Sequence, residues 1–173
     1  MREFKDIESF TRFMETRVVP AIPRAIHKGV EDGAVRIRKA TQAQLGKYLD
    51  GPEPGLPTAP LADSTIDERI RLGFTPDDPG LRSGDMRDSY GERVSTAGLR
   101  VEASIGSDEI AAVVFEVGRL EQGNYQPPRP ELAVAAARNE TAVVNGVSKM
   151  LVRTLSGKPL PNRAAPDVNS SDP

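Results

Sequence analysis

The sequence predicts an α+β fold, in which a small antiparallel sheet is flanked by a long helix and a C-terminal helix. Two long stretches, residues 23–48 and 130–155, place apolar residues three or four positions apart, as one face of a helix requires. Between them, residues 99–105 alternate apolar and polar side chains as a strand does. Because strands stand between helices without a regular βαβ alternation, the order of elements favours α+β.

The first predicted element is a short amphipathic helix over residues 3–16. Its apolar positions are Phe4, Ile7, Phe10, Phe13 and Met14. Pro20 and Pro23 are expected to interrupt the helical path before the long helix, which runs from Pro23 to near Tyr48. Gly29 and Gly33 lie inside the long helix, where they indicate either close helix packing or a weak helix.

A proline-rich loop is predicted next, over residues 50–62, and it opens a segment that continues to residue 80. Within this segment, Asp63 is the expected N-cap of a helix of two to three turns that carries Ile66 and Ile70 on one face. Strands are then predicted over 88–95 and 99–105. The short connection STAG between them ends in glycine, as hairpin turns do.

The stretch 108–117 is ambiguous, since it fits either a short helix capped by Asp108 or a buried strand. Residues 118–130 are predicted to form a loop with three prolines at its end. Pro130 then suits the first turn of the C-terminal helix.

Gly157 is expected to end the C-terminal helix. The following residues, 157–173, are rich in Pro, Asn, Ser and Asp and show no periodicity, which predicts a disordered tail. No linker separates two cores, so we expect a single domain over residues 1–156.

Composition narrows the function classes. The chain has no cysteine, which excludes disulfides, thiolate metal sites and cysteine nucleophiles. The longest uncharged apolar run, AAVVF, is too short for a membrane span, and the charged start MREFKDIESF does not fit an export signal. We therefore expect folding in a cytoplasm, without a membrane partner.

The net charge of -2 is unevenly distributed along the chain. Residues 1–50 carry ten basic and seven acidic side chains, residues 51–131 carry eight and fifteen, and residues 132–173 carry five and three. This pattern suits contact between copies of the chain better than general nucleic-acid binding, which needs a concentrated basic face. Solvated surfaces are the alternative interpretation.

No catalytic, cofactor-binding or metal-binding residue is predicted, and we do not expect an enzyme. His27 is the single histidine, and no nucleophile motif, phosphate-binding loop or dinucleotide fingerprint is present. The acidic residues near 77–88 do not match a calcium loop. A small hydrolase or nuclease that uses them is the alternative from another class.

Two segments resemble a known family. In residues 80–94 the matching positions are Ser83-Gly84, Met86-Arg87 and Ser89-Tyr90; in residues 105–139 they are Gly106-Ser107, Phe115-Glu116-Val117-Gly118 and Pro127-Pro128-Arg129-Pro130. In this order they are similar to the neck or tail-completion proteins of long-tailed, non-contractile bacteriophages, which also occur in prophages and gene transfer agents. Glu131 follows the PPRP motif where the family usually has an aromatic residue.

The resemblance implies a virion structural protein that forms a ring of six subunits at the head–tail joint. Such a ring would complete or attach the tail, contact the head–tail connector and the tail-tube or terminator proteins, and let DNA pass without sequence recognition. The protein would be assembled in the host cytoplasm and would reside in the virion neck. A tail-terminator or a head-side connector subunit is the alternative within the structural class.

Much of the contact between subunits is expected to come from the segment Phe115 to Arg129. If the segment is extended, its apolar side chains could face a neighbour, and the stiff PPRP arm could hold an arginine for a pair with a neighbour's carboxylate. The candidate interface residues are Val113, Phe115, Val117, Pro127, Pro128, Arg129 and Pro130. The other interpretation of PPRP is a simple helix start.

Overall fold

The predicted α+β class is confirmed by the computed structural model, which describes residues 3–48, 58–121 and 124–161, with Asn124 described by its main chain only. The chain groups into two compact units. Unit 1 comprises Met1–Arg36, Arg93–Ser104 and Glu140–Pro173, and unit 2 comprises Ile37–Glu92 and Ile105–Asn139. The predicted single domain over 1–156 stays a prediction.

The N-terminal helical path changes its winding instead of breaking. Helix α1 (Ile7–Phe13) starts at a capping box between Asp6 and Ser9 and passes into a π-helical turn (Met14–Val18) and a 3-10 turn (Val19–Ala21). Helix α2 (Ile22–Gln44) follows directly. As expected, no continuous α-helix runs through this stretch. The backbone nevertheless stays helical, because Pro20 lies in the first turn of the 3-10 segment, where its missing N–H is not needed.

Close helix packing explains the two glycines in α2. In unit 1, α2 packs against the C-terminal helix α6 (Glu131–Leu155). A Cβ added at Gly29 would lie 2.7 Å from the Cα of Val147, and one at Gly33 would lie 2.7 Å from a methyl group of Val143. Of the two explanations left open by the sequence, close packing is therefore the correct one.

The predicted helix after the proline-rich loop is present as α3 (Asp63–Arg71). Its N-cap is Ala62, without a side-chain cap, so the prediction that Asp63 is the N-cap was wrong by one position. Asp63 is the first helical residue, and its carboxylate still stabilises the helix because it lies at the positive end of the helix dipole.

The predicted hairpin is also present, with strand β1 (Gly91–Ala97) paired to strand β2 (Arg100–Gly106). A two-residue turn at Gly98 and Leu99 joins them, and Gly98 takes a φ of +63° that favours glycine. The first strand starts later than predicted, because a single helical turn, α4 (Asp85–Asp88), precedes it.

The ambiguous stretch forms a helix, α5 (Ile110–Val117), whose N-cap is Glu109 rather than Asp108. The predicted loop 118–130 contains a second hairpin. Strand β3 (Arg119–Glu121) pairs antiparallel with strand β4 (Asn124–Gln126). These three-residue strands were not predicted from the sequence.

Unit 2 has a small core made of Leu45, Tyr90, Ala112 and Phe115, against which Met86 and Leu132 pack. Gly80 lies against it with a φ of +72°, and a Cβ there would come within 2.9 Å of the Phe115 ring. This core fixes α5 on one side and leaves its other side exposed.

Two predicted elements lie largely outside the described residues, namely positions 50–57 of the proline-rich loop and positions 162–173 of the tail. The C-terminal helix ends as predicted, with Gly157 at a φ of +68°. In the part of the chain that the structure describes, no helix combines the length and apolar character of a membrane span.

Candidate functional site

The outer face of α5 is apolar and exposed to solvent. Ile110, Val113 and Val117 stand three and four positions apart, so they share one face of the helix. Their exposed fractions are 77%, 56% and 68%. Two of the predicted interface residues, Val113 and Val117, are therefore accessible to another chain.

The hairpin that follows α5 continues this apolar character. Leu120 and Tyr125 are directly opposed in the β3–β4 pairing, so their side chains lie on the same face. They are 74% and 67% exposed. These two residues, together with Ile110, Val113 and Val117, are named the apolar stripe below.

Acidic side chains flank the apolar stripe. Asp108 and Glu109 precede α5 and are exposed, and Glu121 is exposed at the end of β3. The single basic residue within 108–121, Arg119, is paired with Glu121 at 2.6 Å. Asp108 and Glu109, which form no ion pair with a described residue, therefore place negative charge at the start of the stripe.

The prediction that Phe115 faces a neighbouring subunit does not fit the structure. It lies on the inner face of α5, is 6% exposed and belongs to the core of unit 2. The expectation that Val113, Phe115 and Val117 face a neighbour together assumed an extended segment. In a helix, Phe115 points away from the face that carries the two valines.

Arg129 corrects a second part, because it binds within its own chain. It is 5% exposed and donates from Nε to the carbonyl of Ala59 and from an Nη to the carbonyl of Pro60, both at 3.1 Å. Its guanidinium lies 5.6 Å from the centre of the Phe115 ring. Burial lowers the pKa of Arg129, and its contacts leave it inside unit 2 rather than in a loop outside the helical cores.

The prolines of the arm are half-buried and lie beside the end of α5. The N–H of Arg129 donates to the carbonyl of Phe115 at 2.7 Å, which ties the arm to the helix. Gly118 has a φ of +76°, and a Cβ there would meet the nitrogen of Pro128 at 2.9 Å. The arm therefore needs glycine at this position.

Glu116 connects α5 to the C-terminal helix. Its carboxylate accepts from the N–H groups of Leu132 at 3.1 Å and Ala133 at 2.8 Å, in the first turn of α6. A carboxylate in this position satisfies two orphan donors and interacts favourably with the helix dipole. The sequence offers no local signal for this cap, because Glu116 is sixteen positions from Leu132.

Glu131, the first residue of α6, is fully buried next to this cap. With the side-chain amide nitrogen of Gln44 oriented towards Glu131, this nitrogen donates to both the Oε2 and the main-chain carbonyl of Glu131. The Oε1 of Glu131 has no hydrogen-bond partner among the described residues. Burial, followed by the charge of Glu116, raises the pKa of Glu131 to about 7. Burial likewise raises the pKa of Tyr90 to about 12, with smaller effects from both carboxylates.

The two segments that carry the family resemblance meet in unit 2. The hydroxyls of Ser89 and Ser107 are hydrogen-bonded at 2.6 Å, and Tyr90 packs with Phe115 in one core. Gly84, with a φ of +93°, forms the N-cap of α4. The motif residues thus support one another structurally although they are far apart in sequence.

The residues considered for chemistry have local structural contacts. His27 lines a cavity in unit 1 with Arg24 and Lys28. Asp77 accepts from the hydroxyl of Tyr48, and Asp85 accepts from Ser83 at 2.7 Å. Within residues 3–48, 58–121 and 124–161, no group of three or more His, Cys, Asp or Glu side chains is arranged to hold a metal ion.

No protein-family model matches the sequence, and neither a curated protein nor a solved structure shows significant similarity to it. The resemblance to phage neck proteins therefore depends on the motifs themselves.

Proposed function

We propose that this protein is a structural subunit of the neck of a long-tailed, non-contractile phage, and that it assembles with copies of itself into a ring at the head–tail joint. The ring would have six subunits, would complete or attach the tail, and would let DNA pass without reading its sequence. In this role the protein is not an enzyme.

The apolar stripe is the observation that carries the proposal. Five large apolar side chains, each at least 56% exposed, lie on one short helix and the hairpin that follows it. Grouped exposed apolar side chains mark interaction sites more often than single ones do. A subunit that is buried against its neighbours in a particle accounts for such a surface.

Three further observations support the proposal. The fold combines a small sheet with a long helix and a C-terminal helix, which is the architecture that the family resemblance implies. The motif residues from both segments form the core beneath the apolar stripe. The carboxylates of Asp77, Asp85 and Asp88 form local contacts with Tyr48, Ser83 and Arg87.

The proposal is tested by the oligomeric state of the purified protein, measured by light scattering and negative-stain electron microscopy. We expect rings, and we expect Val113→Asp and Val117→Asp to release subunits, because each places a charge in a buried apolar contact. Leu99→Asp is the matched control, since Leu99 is 67% exposed in the turn of the β1–β2 hairpin and is not a member of the stripe.

The same variants decide the role in the particle. Heads and tails produced without this protein should join when the wild-type protein or the Leu99→Asp variant is added, and should stay separate with Val113→Asp. Electron microscopy of the joined particles would place the ring in its layer and would distinguish a neck protein from a terminator or a head-side connector. A wild-type protein that stays monomeric at all concentrations and does not join heads to tails would contradict the proposal.

A further inference from the structure

Unit 1 contains two adjoining cavities that share Arg24 and Leu160 in their walls. The second, of about 470 Å³, has an apolar lining that includes Phe13, Val18 and Ala21. Arg153 donates from Nε and an Nη to the carbonyl of Pro159, at 3.3 and 3.0 Å, and so fixes the segment that forms the opposite wall. The wall formed by Pro159 and its neighbours is therefore held to the end of α6 by these hydrogen bonds.

The charge around this cavity is positive. Arg17, Arg24 and Lys158 line it, all three are exposed, and none of them forms an ion pair with a described residue. Among the residues that the structure describes, no carboxylate lines either cavity. An occupant of complementary character would be apolar with acidic surroundings.

The apolar stripe in unit 2 has that character. Its side chains are aliphatic and aromatic, and Asp108, Glu109 and Glu121 flank it. The two surfaces thus match in both respects, with apolar groups at the centre and opposite charges around them, which is the arrangement that gives specificity at interfaces.

From this complementarity we propose that the apolar stripe of one copy docks into the basic cavity of the next copy. The inference depends on the proposed function, and it names the second surface of the subunit contact. A contact between two different surfaces is heterologous, and repeated heterologous contacts close into a ring when the rotation between copies allows it. A contact between two stripes would instead be isologous and would stop at a dimer.

A charge exchange between two variants tests the proposal. Variant A replaces Asp108, Glu109 and Glu121 by Lys, so that a basic stripe would meet a basic cavity. Variant B replaces Arg17, Arg24 and Lys158 by Glu, so that an acidic stripe would meet an acidic cavity. All six side chains are exposed, and circular dichroism checks that both variants fold.

Alone, each variant should associate about a hundredfold more weakly than the wild type, because like charges at an interface cost several kcal/mol. Mixed in equal amounts, the variants should form rings in which A and B alternate, since each stripe then meets a cavity of opposite charge. The wild type should also associate more weakly as salt is added. Light scattering and electron microscopy measure all three outcomes.

The results separate this inference from the proposed function. If variant B assembles like the wild type, or if the mixture of A and B does not assemble, the cavity is not the docking site, even where Val113→Asp abolishes the ring. The cavity would then have another occupant, such as a small anion. A wild-type protein that never assembles would instead overturn both proposals.

Discussion

The buried carboxyl group of Glu131 makes the stability of unit 2 depend on pH in a defined direction. Its pKa is raised from 4.5 to about 7, first by burial and then by the charge of Glu116. The nearby arginines, Arg129 and Arg138, oppose this rise only in part. We predict that Glu131→Gln, which removes the ionisation and keeps the shape, stabilises the protein near neutral pH.

The sign and the size follow from the two pKa values. Below about pH 4.5 the folded and unfolded states both hold the proton, so the carboxyl group carries no penalty. As the pH rises through the window up to about 7, the unfolded state loses the proton first, and the folded state becomes less stable. A difference of about 2.5 pKa units corresponds to a loss of about 3 kcal/mol at 1.36 kcal/mol per unit.

Urea unfolding at a fixed protein concentration measures this effect. All three tyrosines, Tyr48, Tyr90 and Tyr125, lie in unit 2 and the chain has no tryptophan, so tyrosine fluorescence reports unfolding of unit 2. Near pH 8 the midpoint of Glu131→Gln should lie about 1–3 M higher than that of the wild type, given typical slopes of 1–3 kcal/mol per M. Near pH 4.5 the two midpoints should coincide.

Glu140→Gln provides the matched control, because Glu140 is an exposed carboxylate on the same helix. It should change the free energy of unfolding by less than about 0.5 kcal/mol at every pH. Should the difference between Glu131→Gln and the wild type stay constant from about pH 4.5 to 8, the buried carboxyl group would not be the source of the pH dependence, and the reasoning would fail.

Three other substitutions test packing and polar contacts. Gly29→Ala should lower the free energy of unfolding by about 1–3 kcal/mol, because the added methyl group would overlap the backbone of the facing helix. Gly146→Ala, with open space around it, should raise the free energy of unfolding by up to about 1 kcal/mol. Thermal unfolding followed by circular dichroism compares the two variants. Arg129→Ala should lower the free energy of unfolding by about 2 kcal/mol, since it leaves two carbonyls without their donor. An unchanged stability in urea unfolding would show that these two hydrogen bonds do not stabilise the fold. Glu116→Gln should destabilise the start of α6 by about 1 kcal/mol, because the cap loses its charge. It should also lower the pKa of Glu131, so that the stability lost between about pH 4.5 and 7 in urea unfolding becomes smaller.

Most elements of the fold were predictable, because they depend on local periodicity. The apolar spacing over 23–48 and 130–155 predicted α2 and α6, and the alternation over 99–105 predicted β2. The second hairpin was missed because its strands have three residues each, too few for an alternating pattern. The π-helical and 3-10 turns before α2 were missed because prolines were taken to end the helical path.

The candidate surface could be predicted only in part. Val113 and Val117 were placed correctly in an exposed apolar segment, but Phe115 was not, because the choice between helix and strand decides which side chains share a face. The PPRP motif predicts a stiff arm, but it does not predict the residues that Arg129 contacts. Its partners, Ala59 and Pro60, are about seventy positions away, and such pairings have no signature in spacing.

The contacts of Tyr48 have a consequence for the proline-rich segment. The Tyr48 hydroxyl donates to Asp77 and accepts from the N–H of Leu61 at 3.2 Å. Arg129 binds the carbonyls of Ala59 and Pro60. Positions 49–57 are therefore preceded and followed closely in the sequence by residues that hydrogen-bond within unit 2.

A segment whose two ends are held close together can change in length at little cost to the protein that holds it. Each doubling of a flexible loop adds only about 0.6 kcal/mol of closure entropy. The core cluster of unit 2 and the apolar stripe are both built from residues outside positions 49–57. A fluorescent label or an affinity tag inserted here would keep Tyr48, Ala59 and Pro60 on their present partners.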